Sequence, residues 1–239
     1  MIETDKIRGD SRRQKHTEKS RKRQRRSKRF WEMNKAVPST RTYNLTICDE
    51  PKFIWFRNAK VATRTTFSLI EQAGIECTAE SVYNSYYFPQ HYVDHFKFAF
   101  VRNPWDRLVS GWIDKVVRKN VLDLPEDVHT RCQSFDQFVE YLADANLDLD
   151  TGNSHFRRQN KLIDLNEVDY VGRLERFDKS ISEVFNHLGI PLEDVPIKNR
   201  SKKRRHYSSY YTSRSRELIY SMYRKDCELF GYSFEEDRG

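Results

Sequence analysis

The chain has 239 residues, which is long enough to bury a sizeable core in one domain. Its formal net charge is +8, but residues 1–29 carry 13 Lys and Arg against 4 Asp and Glu, so the other 210 residues, with 30 against 31, are nearly neutral. No run approaches the ~18 consecutive apolar positions of a membrane-spanning helix, and the four cysteines lack the CxxC pairing that would indicate a zinc site.

The basic charge is concentrated in an N-terminal segment, residues 1–36. It has no apolar periodicity and almost no hydrophobic residue before Phe30, so it cannot offset its ordering entropy and is predicted to be a disordered arm. Such an arm contacts anionic surfaces, whether membrane, acidic polysaccharide or nucleic acid, through charge. No apolar stretch follows the basic residues, so the segment is not a secretory signal. Residues 37–239 are predicted to form a single domain.

The first predicted strand is the apolar run at residues 53–56. Its continuous apolarity is typical of a central parallel strand that is covered on both faces. A helix is predicted to follow from Thr63 or Thr65 and to end before Gly74, which can adopt the left-handed conformation of a C-terminal cap.

The same pattern recurs at Phe96–Val101, where the run FKFAFV again ends in polar residues. Pro104 suits the first position of the following helix, because its missing N–H costs nothing there. Apolar residues then recur at helical spacing from Trp105 to Val116. Two buried strands are thus each predicted to lead into a helix through a short polar turn.

The rest of the chain continues this alternation. It predicts a helix over residues 135–142, a short strand at 168–171, a helix capped by Asp178, and a last helix over 212–230. Strands that alternate with helices predict an α/β fold with a central, mostly parallel sheet flanked by helices. Ligands of such sheets bind beyond the carboxyl ends of the strands, where both polar turns lie.

The first turn has the composition of an anion-binding loop. A helix N-terminus attracts anions through its N–H groups and dipole, Lys60 adds a charge, and hydroxyls follow at Thr63, Thr65 and Thr66. The loop lacks the glycines of a Walker A motif, so it suits one terminal phosphate-like group rather than a triphosphate with its metal. The alternative is an ordinary capped helix with a solvated lysine.

The second turn offers two further phosphate ligands. Arg102 stands at the end of the strand, and Ser110 lies eight residues on, beside the apolar stripe of the helix and towards the sheet's upper edge. Together they supply a bidentate charge and a hydroxyl. The alternative pairs Arg102 with Asp106 at the helix start, and the two interpretations are compatible.

These motifs resemble those of the sulfotransferases that use 3′-phosphoadenosine 5′-phosphosulfate (PAPS), in particular the carbohydrate sulfotransferases of the chondroitin, dermatan and HNK-1 type and their bacterial relatives. AKVATRTTF is similar to the family's 5′-phosphosulfate loop, and FAFVRNPWDRLVSGW is similar to its 3′-phosphate motif. The segments VDYVGRLERFDKSISEVFNHLGI and YRKDCELFGYSF also resemble the family, so the resemblance spans about residues 50–235. It implies a P-loop NTPase-like sulfotransferase fold.

The resemblance implies how the donor would lie. Its phosphosulfate would lie on the first loop, where Lys60 stabilises the leaving phosphate, and its 3′-phosphate would lie on Arg102 and Ser110. A second basic run corresponds to a region that closes over the nucleotide in relatives, and it contributes two further candidates. The donor-binding set is Ala59, Lys60, Val61, Ala62, Thr63, Arg64, Thr65, Thr66, Arg102, Ser110, Arg200 and Lys202.

The resemblance also implies a histidine as general base for the acceptor hydroxyl. Relatives carry one before the FVRNP strand, which makes His91 a candidate, and the segment SHFRRQ resembles a family segment, which makes His155 another. Each has a structural role as its alternative. Glu175 matches a family glutamate, with the alternative of a structural partner for Arg or Lys. PAPS is the implied co-substrate, and no metal is implied.

The implied acceptor is a carbohydrate, with an anionic polysaccharide as one option. No specific nucleic-acid partner is expected, and the oligomeric state cannot be read from the sequence. Animal relatives are Golgi membrane proteins, whereas no anchor is recognisable in this sequence. The expected location is therefore the cytoplasm, as for a bacterial or viral enzyme, unless the chain is a trimmed form.

The competing hypothesis is a basic nucleic-acid- or polyanion-binding protein with a non-catalytic α/β body. The sequence contains nothing like a zinc finger, an RNA-recognition core or a recognition helix, and the nearly neutral body argues against this hypothesis. A P-loop kinase is disfavoured by the missing glycines and by the lack of an identifiable metal ligand.

Overall fold

Five strands form one sheet in the part of the chain that the structure, a computed structural model, describes: residues 42–144, 149, 152–192 and 205–235. Side by side, the strands run in the order β3-β1-β2-β4-β5. Their bounds are β1 (Tyr43–Asp49), β2 (Lys52–Phe56), β3 (Ala79–Ser85), β4 (Phe96–Val101) and β5 (Tyr170–Arg173).

The sheet is mixed. β2 pairs in parallel with β4, and β4 pairs in parallel with β5, whereas β1 is antiparallel to both β2 and β3. The α/β fold class is therefore confirmed, with its parallel part in the half that contains β2, β4 and β5. As predicted, the two strands that lead into the polar turns are parallel neighbours, so their carboxyl ends lie at the same edge.

β1 and β3 were not predicted, and their side chains explain why. Asn44 and Thr46 interrupt the apolar pattern of β1, yet both are buried between its two neighbours. Thr46 Oγ1 donates to Glu80 O at 2.6 Å, and Asn44 Oδ1 accepts from Asn84 N at 3.0 Å. A buried polar side chain is tolerated when it is hydrogen-bonded, and such pairing is not visible in the periodicity of a sequence.

Six α-helices accompany the sheet in the described part of the chain. Most predicted elements are found, with some shifts. The strand predicted at 168–171 lies at Tyr170–Arg173. Asp178 was predicted to cap its helix, but it lies in the first turn, and the N-cap residue is Arg176. Beyond Trp112 the predicted stripe continues in a π-helical turn, Ile113–Val117. The helices are α1 (Thr63–Gln72), α2 (Pro104–Trp112), α3 (Glu126–Arg131), α4 (Phe135–Asp144), α5 (Phe177–His187) and α6 (Ser213–Phe230).

Three groups of buried side chains hold these elements together. α1 and α5 pack on one face of the sheet, around Trp55 and Phe98. Leu45 and Ile54 belong to the cluster on the other face. α2, α4 and α6 form a third cluster, which fixes α2 against the rest of the chain. Because both of the helices that follow the polar turns pack into buried clusters, the turns are positioned by rigid elements.

Several sequence predictions fall outside the described residues. They include the basic arm, residues 1–36, and the second basic run with Arg200 and Lys202, so the proposed domain boundary stays a prediction. In the described part of the chain, no helix combines the length and apolarity needed to span a membrane. The four cysteines all lie in the described part of the chain, where they are buried and form no disulfide bond.

Candidate functional site

The two polar turns meet at the carboxyl edge of the sheet. The first is the β2–α1 loop, residues 57–62, and the second is the β4–α2 turn, Arg102 and Asn103. Arg102 Nη1 donates to Lys60 O at 3.1 Å, and Asn58 Nδ2 donates to Phe100 O at 2.8 Å. The predicted proximity of Lys60 and Arg102 is therefore seen in direct contact between the two turns.

The β2–α1 loop reaches its shape without glycine. Lys60 and Ala62 adopt left-handed backbone conformations, with φ of 70° and 58°, which cost free energy for residues with a Cβ. Ala62 occupies the N-cap position of α1 and provides no side-chain hydrogen bond. The N–H groups of the first turn of α1 are consequently not taken by a capping side chain, as an anion site requires.

Most of the other predicted residues of the loop and of the start of α1 are buried or hydrogen-bonded within the loop, and one is exposed. Val61 is fully buried in the core, and Thr65 and Thr66 are buried as well. Thr63 Oγ1 donates to Asn58 O at 3.2 Å, so its hydroxyl closes the loop. Arg64 is exposed.

Lys60 points towards the end of α2. Its Nζ lies 3.0 Å from Asp114 Oδ2, and Lys115 Nζ lies 3.2 Å from the same oxygen. Burial lowers the pKa of Lys60, and the neighbouring Asp114 offsets part of that shift. Burial opposes ionisation of Asp114, but its hydrogen bonds and charge interactions with the two lysines lower its pKa to about 2. Two cations therefore share one ionised carboxylate beside the loop.

Arg102 is held from both sides. Its guanidinium donates to Asp106 Oδ2 through Nε at 2.8 Å and through Nη2 at 2.6 Å, which is the pairing that the sequence offered as an alternative. The side chain of Gln159 bonds the backbone N–H and C=O of Arg102 at 2.9 and 2.8 Å. Ser110 is partly buried one helical turn beyond Asp106 on the same face of α2.

Arg107 ties a further segment to the site. This fully buried guanidinium donates to Ala59 O at 3.0 Å, to Arg157 O at 2.9 Å and to Ser154 O at 2.9 Å. A Cβ on Gly111 would lie 3.1 Å from Phe156 Cε1, so the glycine lets the segment approach α2 closely. The β2–α1 loop, α2 and the segment with His155 are thereby held as one unit.

His155 lies within the positive field of this unit. Its Nδ1 lies 2.9 Å from Asn153 Oδ1, which also accepts from the His155 backbone N–H at 3.0 Å. An oxygen that accepts twice assigns the proton to Nδ1, and Nε2 is left as an acceptor. Burial, then the charges of Lys115, Lys60 and Arg107, lower the pKa of His155 to about 4.

The structure does not bring His91 to this site. It is exposed, in the short 3₁₀ helix Pro89–Tyr92, and its ring contacts are with Phe88 and Tyr92. None of its described contacts joins it to the β2–α1 loop or to His155. Glu175 accepts from Asn103 N–H at 2.7 Å and from Tyr232 Oη at 2.8 Å, so it positions the β4–α2 turn rather than pairing with Arg or Lys.

Four residues of the site were missed in the sequence: Arg107, Asp114, Lys115 and Gln159. Asp106, Ser110 and Asp114 follow one another at intervals of four along α2 and its continuation, so a helical wheel would have found Asp114. Arg107 was available inside the RNPWDRLVS element. Gln159 is the last residue of the SHFRRQ segment, but its contact with Arg102 depends on tertiary structure.

An uncapped helix N-terminus, a lysine and an arginine converge on one edge of an α/β sheet, and this arrangement is chemically suited to a ligand with two anionic groups. Comparison with known families narrows the class. The family model described as the sulfotransferase family matches residues 13–233. Because that match covers most of the chain, the protein belongs to the sulfotransferase family, and the resemblance seen in its motifs is confirmed.

Curated relatives carry names within the same class. The chain is 28% identical to carbohydrate sulfotransferase 10 of Xenopus laevis over 170 residues, 58% of this chain and 47% of that protein. It is 26% identical to carbohydrate sulfotransferase 12 of Mus musculus, over 59% and 41% of the two chains. It is 29% identical to carbohydrate sulfotransferase 10 of Homo sapiens, over 58% and 47%. The chain thus spans about half the length of the curated relatives it matches, and no solved structure matches it.

Proposed function

We propose that this protein transfers a sulfuryl group from PAPS to a hydroxyl of a carbohydrate acceptor. The observation that carries the proposal is the contact between the two turns, in which Arg102 Nη1 lies 3.1 Å from Lys60 O. One bisphosphorylated adenosine can reach both cations only if the turns adjoin. The relatives named carbohydrate sulfotransferases support the carbohydrate acceptor.

The 5′-phosphosulfate end of the donor is assigned to the β2–α1 loop. The uncapped first turn of α1 supplies N–H donors and a positive dipole end. Lys60 supplies a full charge where negative charge builds on the bridging oxygen and the leaving phosphate. Donors that are already in place before reaction lower the barrier without reorganisation, and losing one typically costs about 10²–10³ in rate.

The 3′-phosphate is assigned to side chains of the β4–α2 turn and α2. Asn103 Oδ1 already accepts from the N–H groups of Trp105 and Asp106, at 3.0 and 3.4 Å, so the N-terminus of α2 has fewer donors left for a ligand. Arg102 and the hydroxyl of Ser110 remain as ligands for the phosphate. Arg200 and Lys202 stay candidates for the same group.

The transfer step conserves atoms and charge. The acceptor oxygen forms a bond to sulfur as the bond between sulfur and the bridging phosphate oxygen breaks, which releases adenosine 3′,5′-bisphosphate. The proton of the acceptor hydroxyl goes to His155 Nε2, which the hydrogen bond between Nδ1 and Asn153 leaves as the acceptor. His155 is preferred over His91 because it shares a unit with Lys60 through Arg107.

The surrounding cations explain how a histidine with a low pKa would serve as base. In the donor-free protein, burial and the charges of Lys115 and Lys60 keep His155 neutral. A bound donor brings several negative charges among these cations, which favours the protonated imidazole. The pKa of His155 is then expected to rise when the donor binds, towards the range in which a general base works best.

Ligand-dependent thermal stability tests the class of donor. Adenosine 3′,5′-bisphosphate should raise the melting temperature, since a ligand at 100 times its Kd stabilises by about 2.7 kcal/mol, whereas ATP and adenosine 5′-monophosphate should have smaller effects. Transfer from labelled PAPS to a panel of glycans then tests the reaction. No shift with the bisphosphate would reject the donor.

Removing residues 1–29 tests the competing hypothesis. Under the proposed function, bisphosphate binding survives the deletion, because the site lies in the domain. If the protein is a polyanion binder through its basic arm, the deletion abolishes its binding to heparin or nucleic acid and no adenine nucleotide binds either form. The cytosolic location expected from the sequence stays a prediction.

A further inference from the structure

A carboxylate occupies the place where the proposed function puts an anion. Asp114 Oδ2 lies 3.0 Å from Lys60 Nζ, and the side chains of the two residues are 17% and 30% exposed. Negative charge here repels an anionic donor and competes with it for the lysine. A site built only to bind phosphosulfate would have no use for this residue.

The local backbone shows that the pair is built into the site. Asp114 and Lys115 lie in the π-helical turn Ile113–Val117, in which Arg118 N donates to Ile113 O at 3.1 Å. Turns of this kind occur frequently at functional sites. From the other side, Lys60 reaches Asp114 from a left-handed backbone conformation. Two unusual backbone segments on different elements thus converge on one ion pair.

We propose that Asp114 is a positioning residue that holds the amine of Lys60 in the donor-free protein and releases it to the 5′-phosphate when the donor binds. Lys115, which lies 3.2 Å from the same carboxylate oxygen, keeps Asp114 paired after Lys60 leaves. The donor therefore exchanges one anionic partner of Lys60 for another. This inference rests on the proposed function, because it requires a phosphate at the β2–α1 loop.

The exchange predicts that affinity and turnover change in opposite directions. Without the carboxylate, no ion pair has to be broken, so a 5′-phosphate binds more tightly. The amine of Lys60 also loses the carboxylate that positions it, so turnover falls. A residue that merely stabilises the fold would lower both, since a distorted site binds and reacts less well.

The experiment compares Asp114→Asn with wild type by calorimetric titration in slightly acidic buffer, which favours the protonated amine of Lys60. Adenosine 3′,5′-bisphosphate should bind about tenfold more tightly to the variant, within the range over which contacting residues couple. Adenosine 3′-monophosphate, which lacks the 5′-phosphate, should bind both proteins equally. Turnover with PAPS and an acceptor from the glycan panel should fall about tenfold.

Two further variants separate the explanations. In a Lys60→Met background, Asp114→Asn should give a clearly smaller gain, because the lysine that was to be released is gone and only the relief of charge repulsion remains. Asp127→Asn removes one carboxylate from an exposed ion pair with Arg131 and should leave affinity and turnover unchanged. Its side chain is 77% exposed, which makes it a control for the loss of one charge.

The outcomes that overturn the inference are distinct from those that overturn the proposed function. Unchanged or weaker bisphosphate binding by Asp114→Asn contradicts the exchange. So does an equal gain with the 3′-monophosphate, or a gain that is undiminished in the Lys60→Met background. If wild type binds no bisphosphate at all, the proposed function fails and the inference fails with it.

Discussion

The β2–α1 loop and the β4–α2 turn both join a buried parallel strand to a helix, yet they end differently. α1 begins behind Ala62, whose side chain caps nothing. α2 begins behind Asn103, whose side chain accepts from two N–H groups, and Pro104 takes the first helical position. The first turn leaves its helix without a side-chain cap, whereas in the second turn Asn103 caps the helix.

The comparison separates two ways of binding a phosphate at the edge of one sheet. The β2–α1 loop offers backbone donors and the charge of one lysine, and two left-handed residues make its conformation costly. The β4–α2 turn offers a guanidinium that is already fixed by Asp106 and Gln159. We therefore assign the reacting phosphosulfate to the loop and the non-reacting 3′-phosphate to the rigid turn.

Lys60→Ala should have the largest effect. The variant removes the only side-chain charge that the loop is proposed to direct at the leaving phosphate, so turnover should fall about 10²–10³-fold or more. Bisphosphate affinity should fall less, because the N–H groups of α1 remain. The measurement is transfer of labelled sulfate at saturating donor. Lys52→Ala, which changes an exposed lysine at the other edge of the sheet, is the matched control.

Wild-type turnover by Lys60→Ala would remove the distinction between a reacting and a non-reacting turn. An equal loss in Lys52→Ala would indicate a general effect of charge instead.

Arg102→Ala should mainly weaken binding. Loss of a bidentate charged contact should reduce affinity for adenosine 3′,5′-bisphosphate by about 10–100-fold, because such hydrogen bonds contribute about 1.5–3 kcal/mol. Arg102→Lys should recover only part of the loss, since a lysine keeps the charge but not the planar geometry. Affinity for adenosine 5′-monophosphate should change much less, because this ligand lacks the 3′-phosphate.

Titration calorimetry with the two nucleotides checks the assignment. If both nucleotides lose affinity equally, Arg102 acts on the 5′ end or on the loop, which it contacts through Lys60 O. The proposed division of labour between the two turns would then be wrong.

Asn103→Ala should lower the stability of the fold with little effect on bisphosphate binding. Losing the cap of α2 should lower the free energy of unfolding by about 1–2 kcal/mol, and the lost hydrogen bond from Asn103 Nδ2 to Ser233 O adds to this. Bisphosphate affinity should stay within about twofold, because the proposed ligands in this region are side chains of other residues. Urea unfolding and titration measure the two effects. Asn186→Ala, at an exposed position of α5, controls for the loss of an amide.

Much of this arrangement could be predicted because it depends on local pattern. Continuous apolar runs indicated β2 and β4, and the rule that ligands lie beyond the carboxyl ends of parallel strands indicated that Lys60 and Arg102 would adjoin. The capping asparagine was not predicted, although Asn103 stands directly before Pro104 in the sequence. The donor-binding residues themselves stay predictions.

The missed features depend on tertiary contacts. The polar residues of β1 are satisfied by β3, and neither strand has a strong pattern of its own. The pairing of Lys60 with Asp114 depends on a left-handed lysine and on a π-helical turn, both of which are stabilised by packing rather than by residue preference. His155 was a candidate from the sequence, but the carbonyl contacts of Arg107 that hold its segment at the site were not predicted.

The smallest expected effect concerns the pH dependence of stability, which tests whether burial and the neighbouring cations together lower the pKa of His155. Its pKa of about 4 in the folded protein lies below the ordinary value of about 6.5. Between these values the unfolded chain binds a proton that the folded protein does not, so stability falls as the pH decreases from about 6.5 to about 4. The slope should remain below the ~1.4 kcal/mol per pH unit of one full proton, because partial exposure screens the charge. Asp114 affects stability over a lower pH range, since its stabilisation is lost only as the pH falls towards about 2.

Urea unfolding at several pH values should therefore show a weaker dependence of stability on pH for His155→Gln than for wild type. His206→Gln, at an exposed position, should keep the wild-type slope. An unchanged slope in His155→Gln would mean that the imidazole is solvated and lies outside the field of the two lysines.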